Sequence, residues 1–478
     1  MARGPEIRLS AGWVVAGMGA VGGAIVLGDV EREFSGVSID TRTLASGELF
    51  IAIQGERFDG ADFARAAIEA GAGGVVVARG RGAEVVARGV EPAGGTVVIE
   101  VDDTTAALQG LAHAVREASG ARVVAITGSA GKTTTKEVAA EFLGVRFDVI
   151  RNRGNFNNHI GLPLSLMDLR QRPEMAVVEL GMNHAGEIST LVRVADPDVR
   201  VWTNVGEAHL GFFSSLDAIA DAKAEIFEGA SASTLLVANA DDERIVARLP
   251  RFAGRVVTFG IDRPADVRAT AVVDRGIDGT RAHVTTTYGE FELTTPLVGR
   301  GNLANVLAAT AVAAEYGVPL LAIAKRAALL KPAAHRGEVI QLANGATVID
   351  DTYNANPTAT TRALDVLGNA KSGRRVAVLG EMLELGDRAR ALHEDVGRAV
   401  AGHAIDLLLT VGGDAAAAMA DAAIAAGLDP AHVRHFATSD LAAAAAVDLV
   451  RPGDVVLVKG SRGVNTDRVV DRLKAERG

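Results

Sequence analysis

A short apolar strand followed by a glycine-rich turn and a helix constrains this chain more than any other segment. The strand leads through Ile126 into the turn Thr-Gly-Ser-Ala-Gly-Lys-Thr at residues 127–133. Glycines in such a turn let successive backbone N–H groups point inward, and the start of the helix adds the positive end of its dipole. The pattern therefore predicts a site for the phosphates of a nucleoside triphosphate.

The side chains of this turn suit the same function. Lys132 can reach terminal phosphate oxygens, and the hydroxyl of Thr133 can ligate magnesium. We expect contacts to the nucleotide from Gly128, Ser129, Ala130, Gly131, Lys132, Thr133 and Thr134. The standard phosphate loop has a glycine six residues before the lysine, where this chain has Ile126, so the turn belongs to a narrower class. A glycine-rich turn without a ligand is the alternative interpretation.

Length and composition limit the fold and the partners. A chain of 478 residues is too long for one hydrophobic core, and its length favours about three domains. The absence of cysteine excludes disulfide bonds and thiolate metal sites. A net charge of −10 argues against nucleic acid as a general partner, so an anionic substrate would need local cationic pockets.

The uncharged stretch 11–27 raises the question of a signal peptide or a membrane helix. Several glycines dilute its hydrophobicity, and no clear cleavage site follows. Ser10 is instead typical of a helix N-cap, before a short helix and the strand Ala24–Leu27. We therefore expect a soluble, cytoplasmic protein that does not insert into a membrane.

The order of predicted strands and helices divides the chain into three domains, at residues 1–119, 120–332 and 333–478. The first mixes short strands and helices, whereas the second and third alternate strand and helix. Alternation implies mostly parallel sheets covered by helices, with ligands at the carboxyl ends of the strands. The predicted fold class is α/β: a small first domain, a central phosphate-loop domain with a β-rich stretch over 255–297, and a Rossmann-like third domain.

Two residues at strand ends of the central domain are candidate metal ligands. Glu179 ends the apolar strand that begins at Met175, where a carboxylate can hold magnesium directly or through water. A solvent-facing loop acid is the alternative. His209 follows the strand predicted over 199–205, and a neutral imidazole there can serve as a second ligand. A purely structural histidine is the alternative.

Lys223 lies on an apolar face of the helix predicted over 216–227. Its neighbours three and four residues away are Ile219, Ala220, Ile226 and Phe227. Such a lysine either extends to solvent or is buried for a purpose, and burial favours the neutral amine. A neutral amine can react with carbon dioxide to give a carbamate, whose two oxygens would suit magnesium.

Further polar residues are candidates for binding, each with a structural alternative. Asn155 and Asn158 lie in a turn suited to a phosphate or a sugar, although a plain loop fits equally. Asn302 and Asn305 share a helix face and would either read a nucleotide base or cap their helix. In the third domain the candidates are Arg336 for a phosphate, Asp351 for a ribose or a cation, and the basic turn 459–463 for a carboxylate or phosphate. A solvated turn is the alternative for the last.

Taken in order along nearly the whole chain, these segments resemble the Mur ligases, the ATP-dependent amide-forming enzymes of peptidoglycan synthesis. Besides the phosphate-binding turn, the central segments that carry the resemblance are 155–163, 179–182, 208–210, 222–227 and 301–305. The family carbamylates the lysine that corresponds to Lys223. The resemblance therefore implies ATP, two magnesium ions and a carbamylated Lys223.

The two ends resemble the branch that adds D-alanyl-D-alanine to a UDP-N-acetylmuramoyl tripeptide. The segments concerned are 40–42, 47–55, 58–63, 351–357 and 380–386, and the string Tyr-Asn-Ala-Asn-Pro at 353–357 is the most specific of them. This branch forms the pentapeptide, ADP and phosphate through an acyl phosphate. The resemblance implies these two substrates and no nucleic acid, and we expect a monomer.

The resemblance also implies roles for individual residues. Catalytic roles fall on Lys132, Glu179, His209 and Lys223, and metal ligation on Thr133, Glu179, His209 and Lys223. Besides the turn, the nucleotide would be contacted by Asn302, Asn305, Arg336 and Asp351. The other substrates would be contacted by Asp40, Thr41, Arg42, Asn155, Asn158, Asn354, Asn356, Lys459, Ser461 and Arg462.

Departures from the family pattern leave alternatives open. Thr41, Ala61, Thr466 and Asp467 stand where the family often has serine, histidine, methionine and glutamate, which affects contacts in the outer domains only. A sister ligase that adds a single amino acid, including the folate branch, is the nearest alternative function. A non-catalytic UDP-sugar sensor and a transport or motor ATPase are alternatives from other classes.

Overall fold

The computed structural model describes residues 4–55, 58–87, 95–152, 154–208, 210–370 and 373–477. The chain divides into two compact units. The first comprises residues 1–125, 147–200 and 225–234, and the second comprises residues 126–146, 201–224 and 235–478. None of the helices in the described ranges is long and apolar enough to cross a membrane.

The amino-terminal part of the first unit is built on a five-stranded sheet. The strands of this part, five in that sheet and two in a separate pair, are β1 (Leu9–Ser10), β2 (Ala24–Leu27), β3 (Glu33–Phe34), β4 (Val37–Ser38), β5 (Leu49–Ile51), β6 (Gly74–Ala78) and β7 (Val97–Val101). Its helices are α1 (Ala11–Gly17), α2 (Ala64–Glu69), α3 (Gly82–Ala87) and α4 (Thr104–Ser119). The strand order is β2-β7-β6-β5-β4, parallel except for β2, while β1 pairs with β3. The Ser10 hydroxyl accepts the Trp13 N–H, which confirms the predicted helix N-cap.

A nine-stranded sheet follows, and its strands β8 and β11 pass from one unit into the other. The strands are β8 (Arg122–Thr127), β9 (Val149–Arg151), β10 (Met175–Glu179), β11 (Val199–Trp202), β12 (Leu235–Asn239), β13 (Arg255–Gly260), β14 (Val267–Asp274), β15 (Thr280–Thr286) and β16 (Gly289–Thr295). The helices are α5 (Lys132–Leu143), α6 (Gly161–Leu166), α7 (Glu187–Ala195), α8 (Leu216–Ala224), α9 (Glu243–Val246), α10 (Gly299–Glu315) and α11 (Leu320–Ala327). The strand order is β16-β15-β14-β13-β12-β11-β8-β10-β9.

The pairing in this sheet agrees with the predicted mixture of parallel and β-rich parts. Strand β9 runs parallel to β10, as β12 does to β13 and β13 to β14, whereas β14, β15 and β16 are antiparallel. The strand predicted over 199–205 ends earlier, at the fully buried Trp202. It ends there because the backbone that follows has other partners: Asn204 and Gly206 bond to the glycine-rich turn, and the Val205 N–H donates to Asp242.

The carboxyl-terminal part of the second unit is a six-stranded sheet flanked by helices. Its strands are β17 (Glu338–Gln341), β18 (Thr347–Asp351), β19 (Arg375–Gly380), β20 (Leu407–Val411), β21 (Val433–Phe436) and β22 (Val455–Lys459). Its helices are α12 (Pro357–Gly368), α13 (Ala389–Gly402), α14 (Asp414–Ala425), α15 (Ser439–Leu449) and α16 (Asp467–Arg477). The strand order is β17-β18-β22-β19-β20-β21, with only β17 antiparallel among these pairs. This order brings the carboxyl ends of β18, β22 and β19 together.

Helices α13 and α14 pack so closely that a glycine is required between them. A Cβ atom on Gly397 would overlap the carbonyl oxygen of Met419 and lie 3.0 Å from the Cβ of Ala422. Gly402 ends the same helix, and a Cβ there would meet no heavy atom within 4 Å. The two glycines therefore form a matched pair for a packing test.

We expect Gly397→Ala to destabilise the protein by about 1–3 kcal/mol, because the added methyl group must push two helix backbones apart. Gly402→Ala should be neutral or stabilise by up to about 1 kcal/mol, because alanine is the better helix former. Urea unfolding followed by circular dichroism measures both. Equal midpoints for the two variants would contradict the close packing of α13 and α14.

Candidate active site

The glycine-rich turn between β8 and α5 forms an open loop whose lysine folds back across it. Gly131 is the N-cap of α5 with a φ of +81°, a left-handed conformation that favours glycine. Lys132 donates from Nζ to the carbonyl oxygen of Gly128 at 2.8 Å. The ammonium group is thus held over the same loop whose amides are expected to bind phosphate.

The loop takes its shape from the chain that follows β11. The amide of Asn204 clasps Ala130: its Oδ1 accepts the Ala130 N–H at 2.9 Å, and its Nδ2 donates to the Ala130 carbonyl at 2.9 Å. The Asn204 carbonyl accepts the Ser129 N–H at 3.0 Å. The Ser129 hydroxyl both donates to the Gly206 carbonyl and accepts the Gly206 N–H, at 3.1 and 2.9 Å. These bonds fix the backbone of residues 129 and 130.

Asn204 was not among the predicted site residues. Its signal in the sequence is a polar Thr-Asn pair directly after an apolar strand that neighbours β8. Sequence alone does not tell which residue of such a strand end faces the loop. The spatial neighbour that shapes the loop is therefore visible only once the strand order is known.

Helix α10 supports the loop from the other side. Asn305 is 7% exposed, accepts the Thr135 hydroxyl at 3.2 Å and donates to Oδ1 of Asn302 at 3.2 Å. A Cβ atom on Gly131 would overlap the Asn305 amide. Asn302 in turn donates to the Val298 carbonyl at 2.9 Å in the first turn of α10. The start of α10, within the described residues, has no side-chain cap hydrogen bond, so the capping alternative is wrong for both amides. Base recognition by either amide stays a prediction.

Glu179 ends β10 as a buried and oriented carboxylate. It is 3% exposed, and its Oε1 accepts the Asn157 side-chain N–H at 2.7 Å. Its backbone N–H donates to Oδ1 of Asn152 at 3.0 Å. These bonds argue against a solvent-facing loop acid. Asn152 was not predicted as a site residue, because it precedes the polar turn at 155–163 and its partner lies 27 residues away along the chain.

The other asparagines of that turn play different parts. Asn158 accepts the N–H groups of Ile160 and Gly161, at 3.2 and 2.8 Å, and so orders the start of α6. Asn155 is exposed. Contact of either residue with a substrate stays a prediction.

The predicted metal ligands fit magnesium by their chemistry. Thr133 and Glu179 offer a hydroxyl and a carboxylate oxygen, which are the hard ligands that magnesium prefers. His209 lies outside the described residues. Among the residues that are described, no group of three or more histidine, aspartate or glutamate side chains could hold a metal ion.

Lys223 is buried on the inner face of α8. It is 2% exposed, which decides against extension to solvent. Desolvation by burial lowers its pKa well below the ordinary value, and the positive charge of Lys132 lowers it further. Burial thus favours the neutral amine that carbamate formation requires.

The carboxyl ends of β18 and β22 carry a second polar cluster. Lys459 is buried and donates from Nζ to Asp351 Oδ2 at 2.6 Å and to the Asn354 carbonyl at 2.9 Å. The Ser461 hydroxyl donates to the Ala355 carbonyl at 3.3 Å and accepts the Leu383 N–H at 2.9 Å. The structure thus brings these predicted residues together at one sheet edge.

Two arginines share the ring of Tyr353 beside this cluster. The guanidinium carbon of Arg336 lies 3.8 Å from the ring centroid, and that of Arg462 lies 5.6 Å from it. Asn356 is the N-cap of α12, where its Oδ1 accepts the Ala359 N–H at 2.8 Å, as the Asn-Pro pair predicts. The cluster therefore combines positive charge with a rigid helix start.

Asp40 and Arg42, which are predicted to contact the substrate in the first domain, form an ion pair with each other. Arg42 makes bidentate hydrogen bonds to Asp40, with NH2 to Oδ2 at 2.6 Å. These bonds lower the pKa of Asp40 to about 2. Thr41 lies half-buried between the two. The pair is exposed, so it orders a surface turn that a ligand could reach.

Comparison with known proteins gives a consistent family across the whole chain. Residues 33–116 match the model "Mur ligase family, catalytic domain", residues 126–313 match "Mur ligase middle domain", and residues 335–462 match "Mur ligase, glutamate ligase domain". These three matches agree with the predicted three-domain fold, while its boundaries stay predictions. The UDP-N-acetylmuramoyl-tripeptide--D-alanyl-D-alanine ligase of Bacillus subtilis is 36% identical, over 92% of this chain and 93% of its own.

Solved structures give the same result. A crystal structure of MurF from Acinetobacter baumannii superposes with a TM-score of 0.87 at 30% identity, over 99% of this chain and 100% of its own. MurF from Thermotoga maritima in complex with ADP gives 0.79 at 28% identity, over 92% and 97% of the two chains.

The clasp of Asn204 on Ala130 predicts a nucleotide-binding defect. We expect Asn204→Ala to weaken ADP binding about tenfold or more, because both side-chain bonds from Asn204 to Ala130 are lost and only the Thr203 hydroxyl is left to bond the Ala130 carbonyl in the described structure, at 2.8 Å. Asn239→Ala is the control, since it removes an amide that is also buried in this unit. That amide donates to the Thr203 carbonyl at 2.8 Å and accepts the Asp241 N–H at 2.9 Å, and neither partner belongs to residues 129 and 130. Isothermal titration calorimetry measures both. An equal loss in the two variants would show general destabilisation in place of a loop effect.

Proposed function

Since the chain belongs to the Mur ligase family, we propose that it is the ligase that joins D-alanyl-D-alanine to a UDP-N-acetylmuramoyl tripeptide with ATP. The products are the UDP-N-acetylmuramoyl pentapeptide, ADP and phosphate, in peptidoglycan synthesis. The similarity at 36% identity over nearly the full length of both chains carries this proposal. The clasped phosphate loop and the buried Lys223 support it from the geometry of the site.

The ATP phosphates bind along the loop. Backbone N–H groups at the start of α5 and the ammonium of Lys132 surround the β- and γ-phosphates, so Lys132 exchanges its bond to the Gly128 carbonyl for phosphate oxygens. The preset loop geometry means that little reorganisation is needed when charge develops on the transferring group. Magnesium ions, when bound, would neutralise charge on the phosphate oxygens. Thr133 and Glu179 are the proposed protein ligands of one ion, and His209 and the carbamate of Lys223 are those of a second.

The reaction consists of two displacements. The tripeptide carboxylate oxygen attacks the γ-phosphorus, the bond between the γ-phosphorus and the bridging oxygen breaks, and ADP leaves. The amine of D-alanyl-D-alanine then attacks the acyl carbon, phosphate leaves, and the amine loses a proton as the amide forms. Excluding water from the acyl phosphate protects it from hydrolysis.

Lys223 is proposed to carry a carbamate. Its neutral nitrogen attacks the carbon of carbon dioxide, an N–C bond forms, and one amine proton is released to water. The carbamate oxygens would then serve as a magnesium ligand together with His209. The support is the burial of the amine and its lowered pKa.

The polar cluster of the third domain is proposed to meet the dipeptide and the nucleotide. Lys459, Ser461 and Arg462 present positive charge and a hydroxyl for the dipeptide carboxylate, with Asn354 and Asn356 beside them. Arg336 and Asp351 are proposed to contact the nucleotide. The turn at Asp40–Arg42 is proposed for the UDP end. A cytoplasmic location and a monomeric state stay predictions.

The reaction itself gives a direct test. We expect phosphate release from ATP with a UDP-N-acetylmuramoyl tripeptide to depend on D-alanyl-D-alanine, and mass spectrometry to find the pentapeptide. Single amino acids in place of the dipeptide are the control for a sister ligase. Release that single amino acids support equally would move the proposal to that sister. ATP binding without release would favour a non-catalytic sensor.

The carbamate predicts a dependence on carbon dioxide and on pH. A lysine with a lowered pKa is neutral above that pKa, so we expect activity and carbamate to fall together as the pH falls through it. Lys223→Ala should lose roughly 10- to 100-fold in activity and regain part of it with added short carboxylates. The exposed Lys325→Ala is the control. Carbon-13 NMR with labelled carbon dioxide detects the carbamate, and full activity of Lys223→Ala would exclude this role.

A further inference from the structure

Helix α12 of the third domain reaches the loop that shapes the phosphate site. The Thr358 hydroxyl, in the first turn of α12, donates to Oε2 of Glu207 at 3.3 Å. The same hydroxyl lies 3.0 Å from where a Cβ atom on Gly206 would stand. Thr358 therefore packs directly on the backbone that follows β11.

Gly206 is bonded to the phosphate loop on its other side. Both its N–H and its carbonyl pair with the Ser129 hydroxyl, and its Cβ position lies 3.7 Å from the Ser129 Cβ. Thus Gly206 lies between a residue of the third domain and a residue of the phosphate loop. A side chain at position 206 would disturb at least one of these contacts.

A charged side chain of α12 also interacts electrostatically with a residue that holds the same loop. Arg362 lies one turn after Thr358, and its guanidinium interacts electrostatically with Asp242. Asp242 accepts the Val205 N–H at 2.7 Å and is the N-cap of α9. Nearby protein desolvates the Arg362 guanidinium and so lowers its pKa, whereas the charges of Asp242 and Asp365 raise it. The residue as a whole is exposed. The charges that face Arg362 thus include one on the loop side and one on its own helix.

We propose that Thr358 is a positioning residue that couples the seating of the third domain to the phosphate loop through Gly206. When α12 is seated, Thr358 contacts Gly206 and Glu207. Gly206 then holds Ser129, while Asn204 holds Ala130. The nucleotide site is then fully formed only when the third domain, which carries the proposed dipeptide site, is in place. ATP would in this way be bound in its reactive geometry only in the presence of the acceptor domain.

The effect of this coupling on ATP binding rests on the proposed nucleotide role of the loop. The mechanical part, by which Thr358 stabilises the loop, does not. The mechanical part concerns the amides of residues 129, 130 and 206, whose hydrogen-bond acceptors are protein atoms. Amide hydrogen exchange therefore tests the coupling directly, independently of whether ATP is the ligand.

The first experiment replaces the hydroxyl without changing the shape of the side chain. We expect Thr358→Val to raise amide exchange at residues 129, 130 and 206 in the nucleotide-free full-length protein, with an unchanged unfolding midpoint. Thr361→Val is the matched control, because its hydroxyl donates only to the Pro357 carbonyl of its own helix, at 3.0 Å. Unchanged exchange in Thr358→Val, or an equal rise in both variants, would overturn the coupling.

The second experiment is a double-mutant cycle on nucleotide binding. We expect Gly206→Ala to weaken binding of a non-hydrolysable ATP analogue about tenfold and Thr358→Ala about threefold. The double variant should be no weaker than about threefold, because removing the Thr358 hydroxyl makes room for the new methyl group. Fold losses that simply multiply would overturn the inference.

The two experiments separate this inference from the proposed function. If the wild-type protein does not bind the analogue although exchange responds to Thr358→Val, the proposed function fails while the mechanical coupling stands. If the wild type binds the analogue and neither Thr358 variant changes binding or exchange, the coupling fails while the proposed function stands.

Discussion

A loop that binds phosphate through backbone N–H groups cannot use those same groups for hydrogen bonds that stabilise its own structure. In this protein the clasp of Asn204 on Ala130 and the double bond of Ser129 with Gly206 supply the missing constraint. They hold the N–H groups of Ser129 and Ala130 and the carbonyl of Ala130. Preorganisation of this kind is the main way in which an enzyme stabilises developing charge. The functional site therefore depends on the chain that follows β11 as much as on the loop itself.

In the segment that follows β11, local sequence patterns no longer predict the structure. The phosphate loop, the strand ends at Glu179 and Asp351, and the helix that begins after Asn356 follow from short-range patterns, and the structure has them where those patterns predict. Asn152 and Asn204 do not, because their partners are 27 and 74 residues away along the chain. The predicted strand over 199–205 was too long for the same reason, since hydrogen bonds to a distant loop ended it. Local periodicity fixes an element's type, whereas its end depends on tertiary partners.

Burial decides the chemistry of Lys223 in a way that hydropathy alone could not. An apolar helix face is compatible with a lysine that extends to water, and only the packed structure shows that this one does not. Desolvation then lowers the pKa of the amine and favours its neutral, nucleophilic form. Lys459 is buried in different surroundings, because it donates to the Asp351 carboxylate and to a carbonyl. These two buried lysines thus differ in that Asp351 lies beside only one of them in the described structure.

The end of β11 also gives the protein an optical property. The chain has two tryptophans, and Trp202 is fully buried immediately before the residues that shape the phosphate loop. Indole emission responds to the polarity and rigidity of its surroundings, so a change in the packing of this strand end alters its wavelength or intensity. Trp13 contributes a separate background from α1, which a substitution by phenylalanine would remove. The protein therefore contains an intrinsic fluorophore at the point where loop geometry is set.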